Sequence, residues 1–245
     1  MIEQQVVIAT KDGSMGCFTV HPDRGGPFPL VLFYMDAPGI REELRDMARR
    51  LASGGYYVML PNMYYRQVAG ELGSLEAEGA RARMLAMMAT LDIPMVMSDT
   101  AALLAHADTQ AAADSRIGGT VGYCMSGQYA INACAHYPDR LKACASLYGV
   151  RLVTDAADSP HLAAARVTGE VYVAAAELDK FILMDEIDAL TRAFAAGGVR
   201  GEVEVYRGVD HGFAFPQRGA YDKPAAERHW SRLNALFRRN LHPAG

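Results

Sequence analysis

One cysteine stands in a short segment of mostly small residues, Gly122-Tyr123-Cys124-Met125-Ser126-Gly127. The segment follows an apolar run typical of a buried strand, residues 117–121, and precedes a helical pattern over residues 125–137. A sharp strand-to-helix turn needs small neighbours and lifts its central side chain above the sheet. A thiol at the N-terminus of a helix also ionises more readily than a free one. The segment therefore predicts Cys124 as a nucleophile, with a buried structural cysteine as the alternative.

Two further side chains that suit nucleophilic catalysis follow in chain order. Asp179 comes just after a predicted strand at 171–176, and His211 comes just after one at 202–206. Active residues of parallel sheets lie beyond the carboxyl ends of the strands. A histidine can accept the thiol proton and return it to a leaving group, while a carboxylate orients the imidazole. We therefore predict a catalytic triad of Cys124, His211 and Asp179. Two other acids lie near the same strand end: Glu177 and Asp185.

The loop after the apolar strand at 30–34 carries the second group of candidates. Acyl transfer needs two preorganised N–H donors for the oxyanion. We expect one to be the backbone of Met125 and the other that of Ala37, because Pro38 has no N–H. Asp36 stands beside Ala37, and a carboxylate near a thiol disfavours the thiolate. Asp36 is therefore predicted to modulate the thiol, unless it only forms a local turn bond.

Strand and helix patterns alternate along the chain and predict an α/β fold with a mostly parallel central sheet and helices on both faces. An N-terminal hairpin is expected around Lys11-Asp12-Gly13-Ser14. Later strands are predicted at 30–34, 56–60, 117–121, 143–147, 171–176 and 202–206. Helices are predicted at 42–53, 75–91, 95–107, 125–137, 184–196 and 225–240. With no linker or repeat, we expect a single domain over residues 1–245.

Composition describes an ordinary globular protein, with 51% hydrophobic and 21% charged residues and a formal net charge of −4. This balance gives no reason to expect nucleic acid or a membrane as a partner. No apolar run approaches the roughly 20 residues of a membrane helix, and the N-terminus lacks a signal-peptide pattern, so a cytoplasmic location is expected. Cys17, Cys134 and Cys144 fit core positions, and no cysteine or histidine spacing predicts a metal site.

Together, the segment around Cys124, Asp179 and His211-Gly212-Phe213 resemble the dienelactone hydrolases (carboxymethylenebutenolidases), α/β-hydrolases with a Cys-His-Asp triad. The resemblance runs over nearly the whole chain and includes residues 55–64, which are similar to the family's G-Y-x-x-x-x-P-x-x-Y pattern. It implies an α/β-hydrolase fold and hydrolysis of an ester or lactone through a thioester, without a cofactor. It also implies that Tyr64 and Phe213, which lie in these motifs, bind substrate.

Three positions depart from the family's pattern. Ser126 stands where the family usually has glycine. Asp36 stands where the best-known members carry glutamate, an acid implied to hold the resting thiol neutral until substrate binds. Of two arginines implied to bind a substrate carboxylate, Arg81 matches one, with Arg83 as the alternative, and Phe215 replaces the other. An apolar ring cannot replace a bidentate guanidinium, so we expect a substrate less anionic than a dienelactone, with Phe215 in its binding site.

The residues thus predict a cysteine hydrolase that cleaves a small-molecule ester or lactone. A thioesterase or acyl-transfer enzyme on the same triad is the first alternative, because esters and thioesters pass through similar oxyanions. A non-catalytic binding protein of the same fold is the second alternative, although such a protein has no need for all three triad residues. An oligomer is compatible with the sequence.

Overall fold

Strands and helices alternate through the part of the chain that the computed structural model describes, residues 1–74 and 76–242. The strands are β1 (Ile2–Thr10), β2 (Gly13–His21), β3 (Phe28–Tyr34), β4 (Tyr57–Pro61), β5 (Ala113–Tyr123), β6 (Leu141–Leu147), β7 (Glu170–Ala176) and β8 (Gly201–Tyr206). The helices are α1 (Glu42–Ala52), α2 (Ala80–Ala89), α3 (Ile93–Asp108), α4 (Gly127–His136), α5 (Pro160–Ala163), α6 (Met184–Ala196) and α7 (Lys223–Leu241).

The strands form an eight-stranded sheet in the order β1-β2-β4-β3-β5-β6-β7-β8. The pairs β1–β2 and β2–β4 are antiparallel, whereas β3–β4, β6–β7 and β7–β8 are parallel. The predicted α/β class with a mostly parallel sheet is therefore confirmed. The chain divides into two compact units, Met1–Gly118 and Gly119–Gly245, and the boundary falls within β5. The prediction of a single domain over residues 1–245 stays a prediction.

In the first unit, β3 and β4 explain why their sequences are continuously apolar. Every residue of both strands is buried, as expected for parallel strands that are covered on both faces. Helix α1 buries Leu44, Met47 and Leu51, which recur at helical spacing. Acidic residues occupy its first turn and arginines its last turn, so the charges complement the helix dipole.

Helices α2 and α3 differ in how well their starts could be predicted. Helix α2 begins at Ala80, because Gly79 has a left-handed φ of 69° that interrupts a helix. Leu75, the predicted start, lies outside the described residues. Helix α3 begins where Asp92 accepts a hydrogen bond from the Met95 N–H at 2.7 Å, with a proline in its first turn. No single described helix has the length and apolar composition to span a membrane, and α2 and α3 meet that test only as a pair bent by 84°.

The second unit carries the strands that matter most for the site: the carboxyl end of β5, and β6, β7 and β8. Six of the seven residues of β7 are buried, and β7 pairs in parallel with β6 and β8. Helix α7 starts like α3, with Asp222 accepting from the Ala225 N–H at 2.9 Å and a proline in the first turn. The short helix α5 was not predicted, because four residues are too few to show a periodic pattern.

A partly buried ion pair in the first unit connects the loop that follows β4 to α3. Both Nη atoms of Arg66 donate to the carboxylate of Asp99 on α3 at 2.8 Å, and Arg66 also pairs with Asp12 at 2.6 Å. The Tyr65 hydroxyl donates to the same Asp99 carboxylate at 2.9 Å. Asp99 is almost fully buried, so its charge depends on these partners.

We expect Asp99→Ala to lower the free energy of unfolding by about 2 kcal/mol, because Arg66 and Tyr65 lose their buried acceptor while Arg66 keeps its pair with Asp12. Urea denaturation followed by circular dichroism measures this change. Asp114→Ala is the matched control, because its partner Arg116 is exposed and such pairs contribute less than about 1 kcal/mol. A loss no larger than that of the control would contradict the role given to Asp99.

Candidate active site

Cys124 occupies the turn between β5 and α4 in a left-handed conformation, with a φ of 56°. Residues other than glycine rarely adopt this conformation unless the surrounding structure imposes it. Here the Cys124 carbonyl accepts from the Gly127 N–H and, at 3.1 Å, from the Val150 N–H, which holds the turn. Cys124 is partly exposed, whereas Cys17, Cys134 and Cys144 are buried. Its thiol is therefore the accessible one.

Two glycines allow the backbone to close around Cys124. A Cβ atom at Gly122 would lie 2.2 Å from the carbonyl oxygen of Ser126. A Cβ atom at Gly127 would lie 2.3 Å from the Ser146 Oγ and 2.5 Å from the Gly149 Cα. Such distances are far below van der Waals contact, so no larger residue fits at either position without moving the backbone.

Ser126, the departure from the family's glycine, braces the same turn. Its Oγ accepts from the Tyr123 N–H at 2.9 Å and donates to the Tyr123 carbonyl at 3.0 Å. Ser126 is fully buried, so the hydroxyl satisfies polar backbone groups at the end of β5. The serine is thus accommodated by hydrogen bonds that glycine cannot make.

His211 and Asp179 meet at the ends of β8 and β7. The Nδ1 atom of His211 lies 2.7 Å from the Oδ2 atom of Asp179, and both side chains are more than nine-tenths buried. Because a carboxylate only accepts, the Nδ1–H donates and the Nε2 atom is left to take up a proton. The other carboxylate oxygen of Asp179 accepts from the Phe181 N–H at 2.8 Å. The carboxylate is therefore held at both oxygens and orients the imidazole.

The charge of His211 depends on both of its neighbours. Burial alone would lower the pKa of His211, but the hydrogen bond that His211 donates to Asp179 and the proximity of Cys124 raise it to about 9. The Nε2 atom is buried and makes no well-aligned hydrogen bond to a described residue. Hydrogen bonds between catalytic groups are often longer in the free enzyme than in its complex with substrate. Asp179 and Cys124 thus favour the protonated imidazole more than burial disfavours it.

The two alternative acids occupy different places. Glu177 accepts from Arg207 at 2.5 Å and from the Gly208 N–H at 2.8 Å. Asp185 is exposed in the first turn of α6, where its charge favours the helix dipole. Among the three candidate acids, Asp179 is the one that bonds His211.

In the first unit, Asp36 follows β3 and is fully buried. Arg41 donates to its two carboxylate oxygens at 2.5 and 3.2 Å and to Glu43 at 2.7 Å. Burial lowers the pKa of Arg41, but Asp36 and Glu43 outweigh burial and raise it overall. The sequence alone did not identify Arg41, because an arginine five residues away carries no local signal of pairing. The role of Asp36 in modulating the thiol stays a prediction.

The loop residue Ala37 is fixed through its carbonyl, which accepts from the Tyr64 hydroxyl at 2.9 Å. Tyr64 therefore helps to fix the conformation of this loop in the first unit. Its predicted contact with substrate stays a prediction. Met125 lies in the 3₁₀ turn Cys124–Ser126, directly after the cysteine, and its side chain is buried. The predicted oxyanion roles of the Ala37 and Met125 N–H groups also stay predictions.

Phe213 and Phe215 are fully buried in an aromatic cluster of the second unit. Phe213 stacks on Tyr206 with ring centroids 4.9 Å apart, and Phe215 packs against Tyr123 at 5.3 Å and Tyr148 at 6.2 Å. These contacts give both rings a packing role, and their predicted contact with substrate stays a prediction. Two arginines are exposed on α2, so the choice between them stays open: Arg81 and Arg83.

Comparisons with known proteins place this geometry in a family context. The sequence profile of the dienelactone hydrolase family matches residues 15–241. A Methylorubrum extorquens protein provisionally named carboxymethylenebutenolidase is 31% identical over 244 aligned positions, and the match covers 97% of this chain and 81% of that protein. A Klebsiella pneumoniae crystal structure, provisionally named dienelactone hydrolase, matches with a TM-score of 0.84 and 25% identity over 96% of this chain and 98% of its own.

A dienelactone hydrolase-like promiscuous phosphotriesterase from metagenomic libraries matches with a TM-score of 0.82. It is 20% identical, over 98% of each chain, so this likeness concerns the fold alone. The sequence and structure matches together confirm the predicted α/β-hydrolase fold.

We expect Ser126→Ala to lower the free energy of unfolding by about 1 to 3 kcal/mol, because two buried backbone groups of Tyr123 lose their partner. Guanidinium denaturation measures the change. Ser53→Ala is the matched control, since the Ser53 hydroxyl bonds the Arg50 carbonyl at an exposed helix end and its loss changes stability by about 0.5 kcal/mol or less. Equal effects of the two substitutions would refute the bracing role.

We expect His211 to titrate near pH 9, as the NMR shift of its Cε1–Hε1 group would report. This pKa exceeds the value of about 6.5 expected in the unfolded chain. Protonation of His211 therefore adds to the free energy of unfolding, and this contribution is fully present below about pH 6.5. The contribution is lost as the pH rises through about 9. Asp179→Asn removes the carboxylate that favours the charged ring, so the midpoint should fall by about one unit or more.

Glu177→Gln is the control for this titration, because Glu177 is engaged by Arg207 and makes no hydrogen bond to His211. The midpoint of His211 should be unchanged in this variant. A midpoint that is also unchanged in Asp179→Asn would show that Asp179 does not set the charge of the imidazole.

Proposed function

Because the chain belongs to the dienelactone hydrolase family, we propose that it cleaves carboxylic esters or lactones with Cys124 as the nucleophile. One observation carries the proposal. The His211 ring bonds Asp179 through Nδ1 and is close enough to Cys124 for the thiol to raise its pKa. A nucleophile, a base and an orienting carboxylate in this arrangement suit acyl transfer.

In the first half of the proposed reaction, Cys124 attacks the carbonyl carbon of the ester. His211 holds the thiol proton as an imidazolium, which the Asp179 carboxylate stabilises. The new C–S bond gives a tetrahedral oxyanion, and the N–H of Met125 at the start of the helical turn is a suitable donor for it. When the oxyanion collapses, the C–O bond breaks and His211 gives its proton to the departing alkoxide. The acyl group is then held as a thioester.

In the second half, water replaces the alcohol. Neutral His211 takes a proton from water as the oxygen attacks the thioester carbon, which forms a second oxyanion. Collapse of this intermediate breaks the C–S bond and releases the carboxylic acid, while the thiolate of Cys124 is restored beside the imidazolium. The proton count balances over the cycle, because one water is consumed and one acid and one alcohol are formed. For a lactone, the alcohol and the acid belong to one product.

The left-handed backbone at Cys124 supports the nucleophilic role. A residue held at φ 56° by its carbonyl bonds projects its side chain away from the strand direction. The buried cysteines are poorer candidates for a nucleophile. Burial raises the pKa of the Cys17 thiol, which keeps it protonated and unreactive.

We expect Cys124→Ala to lower kcat/KM for the best p-nitrophenyl ester by about 10⁴-fold or more, since triad members act as a unit. Release of p-nitrophenol measures the rate over a panel of esters, lactones and thioesters. Mass spectrometry of quenched reactions should detect an acyl group on the native protein and none on Cys124→Ala.

Cys17→Ala is the control, because it removes a buried thiol and should leave the rate per folded protein within about twofold. Hydrolysis by Cys124→Ala at the native rate would exclude the proposed nucleophile. A strong preference for thioesters over esters and lactones would favour the thioesterase alternative.

A further inference from the structure

The loop that carries Asp179 also carries exposed apolar side chains. Of the large hydrophobic side chains that are exposed in residues 1–74 and 76–242, three belong to the loop between β7 and α6. They are Leu178 (59% exposed), Phe181 (54%) and Leu183 (70%), which together are termed the apolar rim. Asp179 lies within the same loop. The exposed side chains are therefore concentrated beside the acid that orients His211.

The backbone that carries the apolar rim is held on both sides. The Leu178 N–H donates to the Val209 carbonyl at 3.0 Å, and the Phe181 N–H donates to Asp179 at 2.8 Å. Ile182, between Phe181 and Leu183, is buried in a small cluster with Ala175 and Ile187. The exposed side chains thus stand on a fixed backbone, and a ligand that covers them has little loop entropy to overcome.

Phe181 connects the apolar rim to the reacting groups. Its ring meets the His211 ring edge to face, with centroids 4.9 Å apart and planes at 74°. Tyr148 contacts the same imidazole at 4.9 Å. Tyr148 is buried, whereas about half of the Phe181 surface is exposed. Phe181 is therefore the aromatic contact of His211 that can also touch a bound molecule.

Geometry decides which part of an ester would reach the rim. The alcohol receives its proton from His211, so the departing oxygen lies next to the imidazole. The Tyr148 and Phe181 rings pack against His211, and Phe181 is the exposed one of the two, so a carbon chain attached to that oxygen would find the Phe181 ring within reach. Covering exposed apolar side chains with an apolar chain is favourable. The Lys180 ammonium lies 5.6 Å from the centroid of the Phe181 ring and would repel a cationic alcohol.

We infer that the apolar rim binds the alcohol portion of a neutral ester, and that Phe181 determines the preference for an apolar alcohol. The inference rests on the function proposed above and names the substrate class of that site. Three side chains are too small a surface for a stable protein partner, which needs about 800 Å² on each side. The Phe181 N–H holds Asp179 through the main chain, so the ring can be changed while the acid stays in place.

The test compares two ester series in a pH-stat. Alkyl acetates from methyl to hexyl vary the alcohol, and methyl esters from acetate to hexanoate vary the acyl group. The native protein should show kcat/KM rising with alcohol length. Phe181→Ala should lose about tenfold for hexyl acetate and less than about twofold for methyl acetate, mainly through KM. Phe181→Leu should retain most of the preference because it keeps an apolar side chain.

Leu162→Ala is the matched control, because Leu162 is an exposed leucine on α5 and should leave both series unchanged. If Phe181→Ala lowers kcat/KM equally for all alcohols and shifts the pH profile of kcat/KM, the inference is overturned, since the ring would then act only on His211. A loss that follows acyl length would also overturn it. Native protein that cleaves neither esters nor lactones refutes the proposed function itself. Cleavage of lactones alone, or of esters without dependence on alcohol length, refutes this inference alone.

Discussion

The hydrogen bond between Asp179 and His211 is the contact on which the rest of the site depends. It forms because β7 and β8 are parallel neighbours, with Ala176 opposite Tyr206 at the ends of the two strands. Backbone bonding continues past this point, since the Glu177 N–H donates to the Tyr206 carbonyl at 3.0 Å. The two loops therefore leave the sheet side by side, and a carboxylate on one reaches an imidazole on the other.

Two buried carboxylates show how the partner decides what a charge can do. Asp36 pairs with Arg41, whose guanidinium stays charged at any ordinary pH. Asp179 pairs with His211, whose proton can leave at a pH near 9. Both pairs compensate the cost of burying a carboxylate. Among these two, the Asp179 pair is the one that can exchange a proton during a reaction.

The sequence identified the parts of the site that local patterns encode. Cys124, Asp179 and His211 each follow an apolar run with strand character, and the ends of parallel strands meet at one edge of a sheet. Arg41 and Phe181 could not be identified in this way, because their contacts depend on how the loops fold back. The burial of Phe215 could not be predicted either, because its spacing from His211 in the sequence carries no information about the aromatic cluster around it. The prediction that α2 includes residues 76–79 was wrong, because the left-handed backbone of Gly79 delays the start of the helix to Ala80.

The bond from the Phe181 amide to Asp179 separates two tasks within one residue. Any amino acid except proline supplies that amide, so the acid keeps its anchor whatever side chain stands at position 181. Substitutions at this position can accumulate in a lineage without first breaking the contact between Asp179 and His211. The surface that the loop after β7 presents can thus change through single substitutions that each keep this contact.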